Sequence, residues 1–377
     1  MMDLKKIVAM ARSGAGQGTL VTLVRVAGSS YRRPGARLLI APDGAHAGTI
    51  SGGCLEAEVL RKAAWKVRGG AVVERYSTLF DDTAEIPYGL GCGGTVDLLL
   101  EPMDLPEGRA MVAALTAAIG GDEAMVATWL PAGDEKLARL VMRLDGSVAF
   151  ASESLGNDEL RAMRAGMLAD AATRMMTTHG REIFIEKIAA PQRLVVLGAG
   201  DDAQPLVAMA AMMGWNVCVA DGRAQLARAE RFRGAQQVVV AESVAGLRIS
   251  ARDAVVVMTH SYEQDRRLLA EVLPLAPKYL GLLGARHRSS LLLSDAAALC
   301  KLGLEECCAR VHAPVGLDLG GDGPEAIALA VLAEVQACVN GRENRSHRLT
   351  EREVREQIAR GGASQYLQAQ CALDESA

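Results

Sequence analysis

The stretch "LVVLGAGDDAQPLVAMAAMMGWNVCVAD", residues 194–221, decides the fold of the second half of the chain. Its apolar run from Leu194 to Leu197 is typical of a buried strand, and a glycine turn and an apolar helical segment follow it. A second strand then ends in Asp221. This order of elements is the G-x-G-x-x-A fingerprint of a dinucleotide-binding Rossmann unit in its required setting.

The residues of this fingerprint have separate physical roles. Gly198 permits the tight turn, Gly200 lets the backbone approach a diphosphate, and Ala203 keeps the helix close to the strand. The helix N-terminus offers unpaired N–H groups to an anion. Asp221 stands where a ribose hydroxyl of NAD(P) would be held.

Two carboxylates, Asp201 and Asp202, stand at the turn that would face the phosphates. They suit the helix dipole but repel a diphosphate. The alternatives are therefore a crevice that holds NAD(P), a crevice that holds another ligand, and a Rossmann scaffold that holds nothing.

Further apolar runs at 236–240, 253–260 and 278–285, with a helical pattern at 262–273, continue the alternation of strands and helices. This alternation predicts a parallel sheet that is covered by helices on both faces. Ligands of such sheets bind at the carboxyl ends of the strands. His260 and Arg286 are therefore candidate cofactor-binding residues, the alternatives being a capping histidine and a solvated basic turn.

The first half of the chain has a different pattern, in which short apolar strands alternate with turn residues. In "GTLVTLVRVAGSSYRRPGARLLIAPDGAHAGTISGGC", residues 18–54, three strands precede a Ser-Gly-Gly-Cys sequence that opens a helix. In "GLGCGGTVDLLLEP", residues 89–102, glycines surround a second cysteine before a buried strand. We predict an α/β chain with a mixed α/β domain over 1–188, a Rossmann-like, doubly wound parallel sheet over 189–340, and a polar helix or tail over 341–377.

Composition excludes several classes of protein. The net charge of −4 is weak evidence against nucleic-acid binding, which favours a basic balance. No apolar run reaches the roughly 18 residues of a membrane span. The eight cysteines lack paired CxxC spacing, which fits reduced thiols in a cytoplasmic protein. Edge strands in the first half favour a homodimer that hides them.

Taken together and in order, these segments resemble one known family. The quoted segments, with "YLGLLGARHR" and "HAPVGLDLGGDGPEAIALAVLAE", span about residues 10–340 and are similar to the XdhC/CoxI family. Members are accessory factors for molybdenum hydroxylases such as xanthine dehydrogenase and carbon monoxide dehydrogenase. The resemblance implies a maturation chaperone more than a stand-alone enzyme. By this resemblance, the protein would bind the molybdenum cofactor, as molybdopterin or its dinucleotide form. It would assist the sulfuration of the cofactor and deliver it to an apo-hydroxylase. A cysteine desulfurase would be a further partner.

The resemblance suggests a role for Cys54. A thiol at a helix N-terminus can have a lowered pKa, and a thiolate is a soft partner for molybdenum or sulfane sulfur. Cys54 could therefore carry a persulfide or ligate molybdenum. Glu56 and Glu58 would raise the pKa of the thiol, although Lys62 can neutralise Glu58 from position i+4. Cys92 is the second candidate catalytic cysteine, and the alternative for both is packing in a turn.

The remaining candidate cofactor-binding residues flank this cysteine. Ser51, Gly52 and Gly53 would let a large planar ligand approach the backbone. Arg37, in the loop "GSSYRRPGAR", would suit a phosphate because guanidinium groups bind phosphates bidentately; the alternative is a solvated basic loop. Three functions stay open: a maturation factor, an NAD(P)-dependent oxidoreductase and a non-catalytic nucleotide-sensing or scaffold protein.

Overall fold

The computed structural model describes residues 2–14, 17–53, 55–77 and 94–342. The chain divides into two compact units, of which the first runs from Asp3 to Ala190 and the second begins at Pro191. The candidate residues Cys54 and Cys92 and most of the predicted C-terminal tail lie outside the described residues.

The first unit contains two five-stranded antiparallel sheets. The first sheet has the order β3-β2-β1-β5-β4 and the second has the order β8-β7-β6-β10-β9. Their strands are β1 (Thr19–Gly28), β2 (Arg37–Ile40), β3 (His46–Gly48), β4 (Val72–Ser77), β5 (Gly94–Pro102), β6 (Ala124–Trp129), β7 (Ala138–Arg143), β8 (Val148–Ala151), β9 (Arg174–Thr178) and β10 (Arg181–Ile188). The helices are α1 (Met2–Arg12), α2 (Glu56–Lys66), α3 (Pro106–Ile119) and α4 (Asn157–Ala169).

The two sheets of the first unit pack against one another through apolar and ionic contacts. Val24 and Leu99 of the first sheet share a buried cluster with Phe184 of the second. A buried ion pair, in which Arg139 Nη1 lies 2.7 Å from Glu101 Oε2, also joins the sheets. Buried charges require such pairing, because an isolated charge in an apolar interior is very costly.

The second unit is a five-stranded parallel sheet with the order β13-β12-β11-β14-β15. Its strands are β11 (Arg193–Leu197), β12 (Asn216–Asp221), β13 (Gln237–Val240), β14 (Ala254–Val257) and β15 (Tyr279–Leu282). Its helices are α5 (Ala203–Met212), α6 (Tyr262–Val272), α7 (Arg286–Cys300), α8 (Leu304–Arg310) and α9 (Pro324–Val339). This strand order is that of a doubly wound Rossmann sheet, in which the order reverses between β11 and β14.

Both faces of this sheet are buried, as the apolar runs predict. Leu194 and Val196 enter the cluster on one face, whereas Val195 and Leu197 enter the cluster on the other. The alternation follows from the strand period of two, which turns successive side chains to opposite faces. The predicted α/β class and the Rossmann-like second half are therefore confirmed.

Candidate functional site

The Ser51-Gly52-Gly53 segment, which we call the glycine loop, lies between β3 and α2 and is held by the side chain of Glu56. The Glu56 carboxylate accepts hydrogen bonds from the backbone N–H groups of Ile50 at 3.1 Å, Ser51 at 2.8 Å and Gly53 at 3.1 Å. It also accepts one from the Ser51 hydroxyl. Glu56 is only 7% exposed, so its charge is stabilised by these donors.

The Ser51 hydroxyl fixes both sides of position 54. Its oxygen accepts hydrogen bonds from the N–H groups of Gly53 and Leu55, each at 3.2 Å. The residues before and after Cys54 therefore donate to one acceptor, and Ser51 acts by holding the loop together.

These contacts also set the ionisation of Glu56. Burial acts to raise the pKa of its carboxyl, but the hydrogen bonds from Ser51 and Ile50 outweigh burial and hold the pKa below its usual value. A carboxylate thus occupies the amides of Ser51 and Gly53 that a phosphate would otherwise use. The loop is a fixed surface whose donors are largely engaged internally.

Glu58, the second carboxylate near the loop, is neutralised on its own helix. It forms ion pairs with Arg61 and Lys62. The prediction that Lys62 pairs with Glu58 is therefore confirmed. The oxygens of Glu56, two residues earlier on α2, bind the glycine loop.

The loop between β1 and β2 lies beside the glycine loop. Arg32 Nη2 lies 2.9 Å from Asp3 Oδ2, and Thr49 Oγ1 donates to the same oxygen at 3.4 Å. Asp3 thereby ties the two loops together from α1. The ring of Tyr31 covers Gly52, since a Cβ placed on Gly52 would lie 3.8 Å from the Tyr31 ring.

Arg37, the arginine that the sequence favoured for phosphate binding, is turned inward. It is 7% exposed and pairs with the buried Glu186 of β10. It also donates to the carbonyl oxygen of Gly35 at 2.8 Å. Because its charge is already matched by a carboxylate, this geometry gives Arg37 a role in joining β2 to β10. Arg33, four residues earlier in the chain, is exposed.

In the second unit, Gly198 and Gly200 form the turn after β11. Gly198 has φ +129°, and a Cβ there would lie 2.3 Å from the carbonyl oxygen of Met258. Only glycine fits such a close approach of two backbones. At Gly200 a Cβ would lie 2.6 Å from Asp202 Oδ1, so a carboxylate stands against the residue that a diphosphate would approach.

Asp221 is buried and has its partners within the chain. Its carboxylate accepts from the N–H of Ala199 at 2.8 Å and from Arg223, whose Nη2 lies 2.7 Å away. Burial acts to raise the pKa of Asp221, but hydrogen bonds from Arg223 and Ala199 outweigh it, so the pKa is lowered. The acidic residue expected to hold a ribose is thus occupied by a neighbouring guanidinium.

His260 stands at the carboxyl end of β14 and pairs with the same turn. It has φ +63° and is exposed, and its Nε2 lies 2.8 Å from Asp202 Oδ2. A left-handed conformation at a residue other than glycine is uncommon and is often found at functional sites. Arg286 is also exposed, at the first residue of α7. His260 and Arg286 therefore lie at the carboxyl ends of the parallel strands, where a ligand was expected. The carboxylates of Asp202 and Asp221 at the same ends are already paired with other residues of the chain.

A second network stabilises this edge beneath the surface. Asp265, which is fully buried, accepts from the hydroxyl of Thr259 at 2.6 Å and from Arg288 Nη2 at 2.6 Å. Arg223 Nη2 donates to the carbonyl oxygen of Thr259 at 3.1 Å. The sequence analysis did not single out Arg223, although the Asp-x-Arg spacing from Asp221 is a visible signal for such a pair.

Three cysteines of the second unit are unsuited to act as nucleophiles. Burial raises the pKa of Cys218, Cys300 and Cys307, and a thiol with a raised pKa is a poor nucleophile. Across residues 2–14, 17–53, 55–77 and 94–342, no group of three or more His, Cys, Asp or Glu side chains could hold a metal ion. Likewise, no helix in these ranges is long and apolar enough to cross a membrane.

Two segments of the chain match models of known protein families. Residues 11–77 match the model of the XdhC and CoxI family, and residues 194–335 match the model of the XdhC Rossmann domain. The chain belongs to the XdhC and CoxI family. The first match contains the glycine loop, and the second contains the Gly198 turn and Asp221.

Relatives extend this similarity over most of the chain. A protein of Bacillus subtilis (strain 168), described as a probable subunit of xanthine dehydrogenase, is 28% identical over 330 residues, 85% of this chain and 92% of its own length. The Escherichia coli (strain K12) molybdenum cofactor insertion chaperone PaoD is 26% identical over 334 residues, 88% of this chain and 86% of its own. A solved Bacillus halodurans structure, described as a xanthine dehydrogenase, has a TM-score of 0.74 and 26% identity, with 94% of this chain and 99% of that chain covered.

Proposed function

We propose that this protein is an accessory factor that binds the molybdenum cofactor and helps to mature a molybdenum hydroxylase. Membership of the XdhC and CoxI family and similarity to the PaoD chaperone support this proposal. The observation that carries it is the glycine loop, which Ser51 and Glu56 hold in one conformation on either side of position 54.

The residues around this loop fit such a cofactor. Gly52 and Gly53 are exposed. Among the residues that the structure describes, no atom lies within 4 Å of a Cβ placed on Gly53, so a bulky planar group can approach the backbone there. The exposed ring of Tyr31 lies over Gly52, and the same loop carries the exposed Arg33. An aromatic ring suits a planar heterocycle, and a guanidinium group suits a phosphate. The cofactor would supply the molybdenum centre, while the chain binds, orients and shields it.

Within this proposal Cys54 is the reactive residue. It either carries a sulfane sulfur that a cysteine desulfurase supplies or ligates molybdenum, because both are soft partners for a thiolate. Cys92 is proposed as a second thiol of the same process. The client is an apo-hydroxylase of the xanthine dehydrogenase or carbon monoxide dehydrogenase type. We further propose that the protein works in the cytoplasm as a homodimer.

Asp221 and Asp202 each have partners within the chain, and this gives no support to the oxidoreductase alternative. A ribose needs a free carboxylate and a diphosphate needs free amides. In the second unit, Asp221 binds Arg223 and Ala199, and Asp202 lies against Gly200 and binds His260. We therefore propose a scaffolding role for this unit, without hydride transfer.

The test of the proposed function is co-expression of an apo-hydroxylase with the wild-type protein or with the Cys54→Ala variant. The sulfido ligand of the purified hydroxylase is measured as cyanide-labile sulfur. We expect the variant to fold normally and to leave the hydroxylase without this sulfur. A hydroxylase that is fully sulfurated in the presence of Cys54→Ala would overturn the role of the thiol.

A further inference from the structure

Tyr31 presents an aromatic ring to solvent beside the glycine loop. The residue is 76% exposed, in a chain with only 3% aromatic residues. One part of the ring is in ordinary contact distance of a Cβ built on Gly52, at 3.8 Å and 3.9 Å from Cγ and Cδ1. The ring therefore lies over the loop backbone and keeps its remaining surface open.

The position of this ring relative to the glycine loop is fixed by polar contacts. Arg32, the next residue, binds Asp3, and Asp3 also accepts from Thr49, just before the glycine loop. On the other side, Glu56 holds the loop amides. A surface that is ordered before a ligand arrives loses less conformational entropy on binding.

The charges around Tyr31 single out one arginine. Arg32 is paired with Asp3, and Arg37 is paired with Glu186. Arg33 is exposed, and among the described residues no salt bridge or side-chain hydrogen bond involves its guanidinium. It is thus the arginine of this loop whose charge remains available to a ligand.

We propose that the Tyr31 ring is the stacking surface for the pterin ring of a phosphorylated pterin, and that Arg33 binds its phosphate. This assignment rests on the proposed function and names the residues that would carry its ligand recognition. A planar ring stacks on an exposed aromatic face, and Gly52 and Gly53 place no side chain in its way.

A docked client protein is the competing occupant, because tyrosine and arginine are frequent in protein–protein hot spots. Such hot spots are surrounded by further contacts that exclude water. In the described part of the chain, however, Ser30 and Arg32 flank Tyr31 in sequence, and its ring lies against the position of Gly52. A single ring among polar residues and glycines favours a small planar ligand.

The test is a fluorescence titration of the full chain with 6-hydroxymethylpterin and with its monophosphate ester, and AMP is added as the competing phosphate ligand that lacks a pterin. The variants are Tyr31→Leu, Tyr31→Phe and Arg33→Gln, with Trp65→Leu as the matched control because Trp65 is an exposed aromatic residue of α2. Tyr31→Leu should weaken binding of both probes by about 10- to 100-fold, whereas Tyr31→Phe stays within about twofold of wild type. Arg33→Gln should weaken binding of the monophosphate alone.

The outcomes separate this inference from the proposed function. Wild-type binding that Tyr31→Leu and Arg33→Gln leave unchanged would overturn the assignment and leave the proposed function standing. A Tyr31→Leu variant that keeps pterin affinity but loses the client hydroxylase would assign the ring to docking and also overturn it. Tighter binding of AMP than of the pterin phosphate would overturn the ligand class, and a wild-type chain that binds neither a pterin nor the cofactor would defeat the proposed function itself.

Discussion

Replacing Glu56 with glutamine should destabilise the first unit and release the glycine loop. Glutamine keeps the length of the side chain but turns one acceptor oxygen into an N–H₂ donor. That donor would face backbone N–H groups that now bind a carboxylate, those of Ile50, Ser51 and Gly53. A hydrogen bond to a charged group contributes about 1.5–3 kcal/mol, but water can reach the exposed Gly53. We therefore expect a loss of about 1–3 kcal/mol of unfolding free energy, rather than the sum of all the bonds.

The effect should also depend on pH in a defined direction. The pKa of Glu56 is lowered in the folded protein, so its stabilisation is fully present above the unfolded pKa of about 4.3. It is lost as the pH falls through the lowered folded value. The stability difference between wild type and Glu56→Gln should therefore be constant from neutral pH down to about pH 5 and shrink below about pH 4.

The assay is urea unfolding followed by circular dichroism at several pH values, with Asp158→Asn as the control. Asp158 lies in the first turn of α4 in the same unit, but it is exposed and pairs with the exposed Arg161, so its replacement should cost less than about 1 kcal/mol. A Glu56→Gln variant as stable as wild type at neutral pH, or a difference that persists unchanged at about pH 3, would refute the reasoning.

Three further predictions concern other parts of the chain. Gly198→Ala should destabilise the second unit by more than about 2 kcal/mol in thermal unfolding, because its Cβ would meet the backbone of Met258. Gly200→Ala should cost less, because its Cβ would meet side chains, those of Asp202 and His260. Equal effects of the two changes would be contrary to this packing. Glu186→Gln, which leaves the guanidinium of its buried partner unpaired, should cost about 3–5 kcal/mol in urea unfolding, and a loss below about 1 kcal/mol would argue against a buried pair. Titration with NADH or NADPH should give no fluorescence change below about 1 mM, and a dissociation constant under about 100 µM would restore the oxidoreductase alternative.

The sequence was sufficient to predict the second unit because its signals are local. Strand runs such as Leu194 to Leu197 are apolar throughout, since both faces of a parallel sheet are covered. The glycine turn then marks where the first strand ends. Each of these signals falls within a few residues, and the predicted elements match β11, α5 and β12 closely.

The interpretation of the charged residues could not be reached in the same way, because their partners are far apart in the chain. Arg37 was expected to suit a phosphate, but its partner Glu186 lies 149 positions away. His260 is paired with Asp202 across 58 positions. Only the folded structure shows that Arg37 and His260 are already paired within the chain. Tyr31 and Arg33 then become the candidate ligand-binding residues.

Glu56 illustrates a different limit. The sequence suggested that its carboxylate acts on the neighbouring thiol through charge alone. In the structure its oxygens bind the amides of the glycine loop. Ser51 and Glu56 are five residues apart, whereas the two residues of the usual capping box are about three apart. No standard sequence pattern therefore predicts this contact.

The most direct test of the central claim is the cofactor content of the purified protein. The chain should be isolated anaerobically from cells that make the molybdenum cofactor and from cells that cannot, and its molybdenum and pterin should be quantified per chain. The proposal predicts stoichiometric pterin and molybdenum in the first preparation and neither in the second. A chain that carries no pterin or molybdenum in cofactor-replete cells, even when its apo-hydroxylase client is absent, would contradict the account.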